Sequence, residues 1–412
     1  MPALPFSLIN PVLEQLQDLP AGDCALLSGQ CPGLLECLER VPDPRDPRGV
    51  RHTLTSLLLA AVAAVLAGAR SFTAIGEWVA DAPPQVLASL GIRRDPLTGR
   101  FEPPGEATIR RILESADAAA LDAAVGSWLA VRVQAADQGQ QGSGRSRRRA
   151  LAVDGKAVRG TRHASSDGQA THLLAVIDQQ AGAVLGQAGV DGKTNEITQF
   201  APLLEPMDLA GAVITADALH TQREHAKFLV SDKKAHYILV LKKNQPSLYA
   251  QVKNLPWRNI PAGDRQRDRG HGREEHRTLK AVTVAAGLAF PHAAQAIRVT
   301  RRIRPLNGTK KWRTFTIYAI TSLTAAQATT AQLAGWIRGH WQIEVLHHIR
   351  DTTYGEDASQ TRTGNGPQVM ATLRNLSISI FKMTGQRNIA AACRHHAHDA
   401  TRTLATLGLS PP

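Results

Sequence analysis

The stretch "GAVITADALH" (211–220) carries four apolar residues in its first six and then meets Asp217. It reads as a buried strand ending on a carboxylate, a group that is costly to take from water unless it is paired, hydrogen-bonded or bound to a cation. Similar apolar runs surround it: "ALAVDGK" (150–156), "THLLAVID" (171–178), "GAVLGQAGV" (182–190) and "AHYILVLK" (235–242), with a helix expected from about His220 to Ser231. Strand-like runs interrupted by helical segments predict an α/β protein with a mixed sheet flanked by helices.

A second acid, Asp154, stands at the end of "ALAVDGK". Taken singly, either aspartate has an ordinary reading as turn or cap chemistry. As a pair they point further, because strands ending at one sheet edge would bring both carboxylates to one site. Phosphodiester chemistry needs such a site: Mg²⁺ takes oxygen ligands, and two metals can activate the attacking oxygen and stabilise the leaving one. Mn²⁺ is the expected substitute.

Charge points to the same kind of substrate. The chain has 48 Lys and Arg against 35 Asp and Glu, a net charge of +13, while 43% hydrophobic residues mark it as globular. Such an excess favours polyanionic partners, nucleic acid first. Between Trp257 and Arg313, fourteen Lys and Arg face only Asp264, Asp268, Glu274 and Glu275, interleaved with strand-like runs such as "HRTLKAVTV" and "WRTFTIYAI". A ribbon lying along phosphates would need this pattern.

Other classes are poorly supported. The apolar run Leu54 to Ala69 is too short and too alanine-rich to span a bilayer and is expected to be a buried helix; no secretory signal opens the chain, so a cytoplasmic protein, nucleoid-associated when bound, is expected. Cys24, Cys31, Cys37 and Cys393 match neither a zinc ribbon nor a disulfide framework. The tail "CRHHAHD" (393–399) is expected to be a solvated histidine-rich terminus. "GQAGVDGKT" (186–194) places five residues where a phosphate-binding loop has four, so no nucleotide cofactor is expected, and no Gly-x-Ser-x-Gly elbow supports a serine hydrolase.

Along the chain, residues 1–40 are a weakly patterned lead-in. Residues 41–135 read as several short helices, broken at Pro83 and Pro84 and including "TIRRIL" (108–113), whose Arg110 and Arg111 suit a helix-turn-helix-like DNA contact. Residues 136–149 form a glycine-rich, basic linker. The catalytic region is expected over 150–385 with an insertion at about 245–322, and 386–412 form a tail. A long helical stretch from about Ala325 to Tyr354 places Ile337, His340, Trp341, Glu344, His347, His348 and Asp351 on or near one face. Glu344 is the candidate third acid, with Asp351, Glu356 and Asp357 as rivals.

The chain resembles the DDE transposases of bacterial insertion sequences, in their H-repeat-associated branch. The resemblance rests on "DPRDPRGVRHTLTSLLLAAVAAVLAGARSFTAIGEW", "TIRRIL", "AVDGKAVRG", "GKTNEI", "GAVITADALHTQ", "YILVLKKNQPSL", "HGREEHR" and "RGHWQIEVLHHIRDTTYGED", in the family's order over roughly residues 43 to 380. It implies a ribonuclease-H-like core with a strand-rich insertion before the last catalytic helix and an all-helical N-terminal domain. It also implies that Asp154, Asp217 and Glu344 are the metal-holding triad. Many related transposases carry Tyr, Arg and Lys around that glutamate; Ile337, His340 and Asp351 stand there in this chain, and Val345 replaces an Asn common in the branch.

The expected activity is therefore Mg²⁺-dependent cleavage at element ends followed by strand transfer, on double-stranded DNA and by a homodimer. Further DNA contacts are expected from His220, Lys242, Lys243, Asn244, Gln245, His271, Arg273, His340 and Trp341, with end recognition in residues 41–135. The alternatives are a catalytically silent DNA-binding regulator or relic, and a metal-dependent nuclease without strand transfer.

Overall fold

The computed structural model describes residues 33–48, 50–140, 148–162, 170–190, 196–270, 272–284, 288–306 and 311–409. Most of the expected lead-in, half of the expected linker and His271 lie outside the described residues. The rest forms a mixed α/β protein of two compact units, one containing the residues up to Asp208 together with Gly339 onward, the other Leu209–Arg338.

The first unit opens with α1 (Leu34–Leu38), α2 (Leu54–Leu66), α3 (Phe72–Asp81), α4 (Pro84–Ser89), α5 (Glu106–Ser115) and α6 (Ala118–Gln140). Helix α2 begins where Thr53 Oγ1 accepts from the Ser56 amide at 3.1 Å, and every residue of it except Thr55 is buried. A helix that is apolar around its whole circumference belongs in a core. Here α1, α3, α12, α13 and α14 surround it, the last three being Gly366–Met383, Ile389–Ala397 and Ala400–Leu407. No described helix is long and apolar enough to cross a membrane. On α5, Ile109, Ile112 and Leu113 face inward while Arg110 and Arg111 are exposed, as the sequence implied.

The same unit holds an antiparallel sheet in the order β3-β2-β1, formed by β1 (Ala150–Val158), β2 (Thr171–Asp178) and β3 (Val184–Val190), with α7 (Glu196–Leu204) following. Helix α6 packs on β3 so closely that a Cβ on Gly126 would strike the Leu185 carbonyl oxygen, which requires glycine there. Helix α11 (Trp341–Thr352) packs on β1.

The tail departs from expectation. The "CRHHAHD" segment is expected in solvent, and Arg394, His395 and His398 are exposed; yet it forms most of α13 and the turn after it, and Ile389, Ala392, Cys393 and His396 make an inward stripe. His396 is held from both ring nitrogens, by the Ala392 carbonyl and Thr406 Oγ1, each at 2.8 Å. The i, i+3, i+4, i+7 spacing of these residues outweighs the polarity of the neighbouring histidines.

The second unit carries strands in the order β4-β5-β9-β8-β7-β6. Strands β4 (Val213–Ala216) and β5 (His236–Leu241) are parallel, joined through a 3-10 turn (Ala218–His220), α8 (Arg223–Lys227) and a π turn (Phe228–Asp232), so the single helix expected there is split into three. After α9 (Pro246–Lys253) come β6 (Asp264–Gly270), β7 (Arg273–Thr283), β8 (Gln295–Pro305) and β9 (Arg313–Thr321), an antiparallel ribbon that returns to β5 through β9. Helix α10 (Thr330–Gly339) closes the unit. The long helix expected to Tyr354 thus breaks at Gly339 and His340, where glycine's low helix propensity weakens the ladder. The stripe expected from Ile337 to Asp351 is therefore divided between α10 and α11.

Candidate active site

On β1 the residues before Asp154 are buried, and Asp154 begins the partly accessible stretch. Side chains two apart on a strand share a face, so Asp154 and Lys156 point the same way. Lys156 Nζ donates to both carboxylate oxygens of Asp351 on α11, at 2.8 Å each, and Asp357 lies 3.5 Å away. His347, one turn after Glu344, brings Nδ1 to 3.9 Å from Asp154 Oδ2. Its Nε2 is buried without a hydrogen-bond partner. Burial, reinforced by the charges of Arg350 and Lys156, pushes the imidazole well below its ordinary pKa.

Helix α11 is oriented by its inward residues Ile343, Leu346 and Arg350. This leaves Glu344, His347 and Asp351 half-buried at i, i+3, i+7 on one flank. Asp154 and Glu344 therefore sit on two elements joined by the Lys156–Asp351 bridge.

The rival acids are otherwise engaged. Glu356 is wholly buried and accepts from Arg350 Nη2 at 2.9 Å and Arg374 Nη1 at 3.0 Å. Burial would raise its pKa, but the two guanidiniums outweigh that and hold it at about 2. Asp351 is committed to Lys156, although burial still raises its pKa against that pairing. From Arg350 a chain of buried polar groups continues through Asn375 and Gln187 to Asp122 on α6. Burial pushes the Asp122 carboxyl up to about 7 in spite of donors from Thr372, Gln368 and Gln187.

Behind β1, on the face away from Asp154, the buried carboxylate of Glu196 pairs with His172 and lies where a Cβ on Gly155 would be, 2.5 Å away. Neither Lys156 nor this His172–Glu196 pair was anticipated. Strand alternation from Asp154 could have flagged Lys156, and Glu196 lies in the quoted stretch "GKTNEI", but nothing in the sequence joined it to His172.

Asp217 belongs to the second unit. It follows four buried strand residues and caps the 3-10 turn, its Oδ1 accepting from the Leu219 amide at 2.8 Å. Asn244 Nδ2 donates to the Ala218 carbonyl at 2.5 Å and Gln245 Nε2 to the Thr221 carbonyl at 2.9 Å, so both tie down the turn that presents Asp217. His220, expected at DNA, is fully buried and stacks on His225 at 5.7 Å, which leaves it no surface to offer a ligand. Lys242 and Lys243 are exposed, His340 and Trp341 are half-buried, and Arg273 lies 3.9 Å from the buried Glu275. Arg110 pairs with Glu106 at 3.3 Å.

Half-buried carboxylate oxygens suit a hard divalent cation. Among the described residues, no three His, Cys, Asp or Glu group closely enough to hold a metal.

Comparison with known proteins places the chain. Residues 145–380, more than half of it, match the family described as Transposase DDE domain, and residues 35–129 match DDE_Tnp_1-associated. The chain belongs to the transposase DDE domain family. It is similar to YncI of Escherichia coli O157:H7, named a candidate transposase, with 27% identity over 85% of this chain and 87% of that protein. It is also 27% identical to YhhI of Escherichia coli strain K12, an H repeat-associated candidate transposase, over 92% of this chain and 99% of that one. Among solved structures, a piggyBac transposase in a synaptic complex with hairpin DNA aligns with a TM-score of 0.40 and 11% identity, covering 92% of this chain and 77% of that one.

Proposed function

We propose that this chain is a DNA transposase with a ribonuclease-H-like catalytic core, acting on the ends of its own element and then on target DNA. Asp154, Asp217 and Glu344 would hold divalent metal, Mg²⁺ with Mn²⁺ as substitute. A bound divalent cation would activate the attacking oxygen and stabilise the leaving one in phosphodiester cleavage and strand transfer. The chain's own part is to present the carboxylates from fixed backbones. Lys156 and Asp351 hold β1 against α11, and Asn244 and Gln245 brace the turn that carries Asp217.

The observation that carries this reading is the joining of β1 and α11, which sets Asp154 against His347 one turn from Glu344 while Glu356 is neutralised by two arginines. Lys242, Lys243, His340, Trp341, Arg110 and Arg111 are proposed DNA contacts. A homodimer on DNA and a cytoplasmic location belong to the same reading.

The test is nicking and strand transfer on DNA carrying the element's ends, with Mg²⁺, for wild type, Asp217→Asn and Glu344→Gln. Loss of both steps in both variants, with DNA binding retained, supports the assignment. Wild type that binds the ends without cutting, or a Glu344→Gln variant that cuts normally, overturns it.

A further inference from the structure

The two faces of the ribbon β6–β9 differ in how far their arginines are balanced by acids. Along β6, Arg265, Arg267 and Arg269 are exposed while Asp264, Gln266 and Asp268 are half-buried. The register carries the alternation across the strands. Arg267 stands opposite His276 and His276 opposite Arg302, while Arg269 stands opposite Glu274 and Glu274 opposite Arg304. These residues share the outward face. On the inward face Arg277 and Arg301 reach Glu275 at 2.6 and 2.5 Å, and Glu275 is 1% exposed. The inward arginines are thus neutralised by an ion cluster. The outward ones are opposed on their face by Glu274, which pairs with Arg304 at 2.5 Å and with His276 at 2.9 Å.

Trp312 adds order to the outward face. The Arg302 and Arg304 guanidiniums lie 4.9 and 4.8 Å from its ring, and the His276 ring lies 4.6 Å away. Stacking of this kind holds long side chains extended and lowers the entropy lost when they bind.

We infer that this outward face, centred on Arg267, Arg302 and Arg304, is a docking surface for the phosphate backbone of duplex DNA. It deepens the transposase reading, on which the choice of DNA rests, but the charge asymmetry stands without it. Guanidinium forks match phosphate oxygens. Arginines two residues apart on a strand repeat at about 6.8 Å, roughly two phosphate rises of a DNA strand. A lipid surface would instead call for apolar side chains between the cations. Apart from Trp312, which is covered by Arg302, Arg304 and His276, this face offers Thr278, Thr300, Thr314 and Thr316, whereas the exposed Phe315 and Ile317 belong to the other face.

The test is binding of the full chain to a fluorescent duplex across a salt series, read by anisotropy. Each phosphate contact contributes about 0.9 to the slope of log K against log salt. Arg302→Ala/Arg304→Ala should therefore flatten the slope by about 1.8 units. Arg302→Glu/Arg304→Glu should bind more weakly still, while Lys227→Ala/Arg394→Ala, the same charge loss elsewhere, should leave the slope unchanged. The variants alter exposed side chains, and matching thermal melts confirm that they are folded. An unchanged slope in the ribbon variants, an equal loss in the control pair, or a loss confined to vesicles of anionic lipid overturns the inference. A chain that binds DNA through this face yet never nicks it defeats the transposase reading alone. Nicking with an unmoved slope defeats this inference alone.

Discussion

Lys156 on β1 donates to both carboxylate oxygens of Asp351 on α11, so one ammonium fixes the strand that carries Asp154 to the helix that carries Glu344. Asp357 at 3.5 Å and Glu356 at 3.9 Å surround the same cation, which is 8% exposed. Lys156→Met would leave these carboxylates short of a charge and should cost about 3 kcal/mol, the usual effect of breaking a buried pair from one side. Asp351→Asn leaves Lys156 two acidic neighbours and should cost about 1 kcal/mol, yet it should still reduce cleavage by loosening α11. Urea unfolding beside a nicking assay checks both. Activity that merely tracks stability across the two variants would show the bridge to be structural only.

Asp122 gives the fold a dependence on pH in the neutral range. Inside the folded chain its carboxyl keeps its proton to about 7, whereas the unfolded chain releases it near its ordinary value of 3.8. The folded state therefore binds more protons in that window, and this group makes stability fall as pH rises from about 4 to about 7. Glu356 acts in the opposite sense, because its pKa of about 2 lies below its ordinary 4.5 and its contribution is lost only in strong acid. Melting temperature measured from pH 4 to 8 should decline less steeply in Asp122→Asn than in wild type. Parallel curves would remove Asp122 as the cause.

Gly155 is confined by the carboxylate behind it. A Cβ there would come within 2.5 Å of Glu196, which is buried and paired with His172 and so has little room to retreat. Gly155→Ala should destabilise by about 1 to 3 kcal/mol through overpacking. It should also displace the β1 backbone beside Asp154, so cleavage should fall further than stability predicts. Thermal melts and nicking rates measured together would show whether the two losses separate.

The apolar runs around Asp154 and Asp217 were legible because buried strands write themselves as Val, Ile and Leu, and α2 because its apolar residues cover every side. The break at His340 was not, since Trp341 and Glu344 continue a helical pattern across it. The burial of His220 against His225 is not legible in the sequence, because it depends on chain folded back from the segment after it. The distinction between Arg273, turned to Glu275, and Arg302, turned outward, required the strand register. Composition counts both alike, and only pairing across the ribbon separates them.

Asp217 combines a cap with its proposed chemical role, and the two can be separated by substitution. Its Oδ1 accepts from the Leu219 amide, closing the turn after β4. Asparagine keeps an oxygen able to accept that bond, so Asp217→Asn should melt close to wild type while losing the negative charge a cation needs. Alanine removes the acceptor as well and should cost about 1 kcal/mol more, the usual penalty for a lost cap. Both variants should be inactive in nicking, but only Asp217→Ala should unfold earlier. A residual nicking rate in Asp217→Asn near that of wild type would mean that the carboxylate is only a cap, and the strand end would then need no metal to explain it.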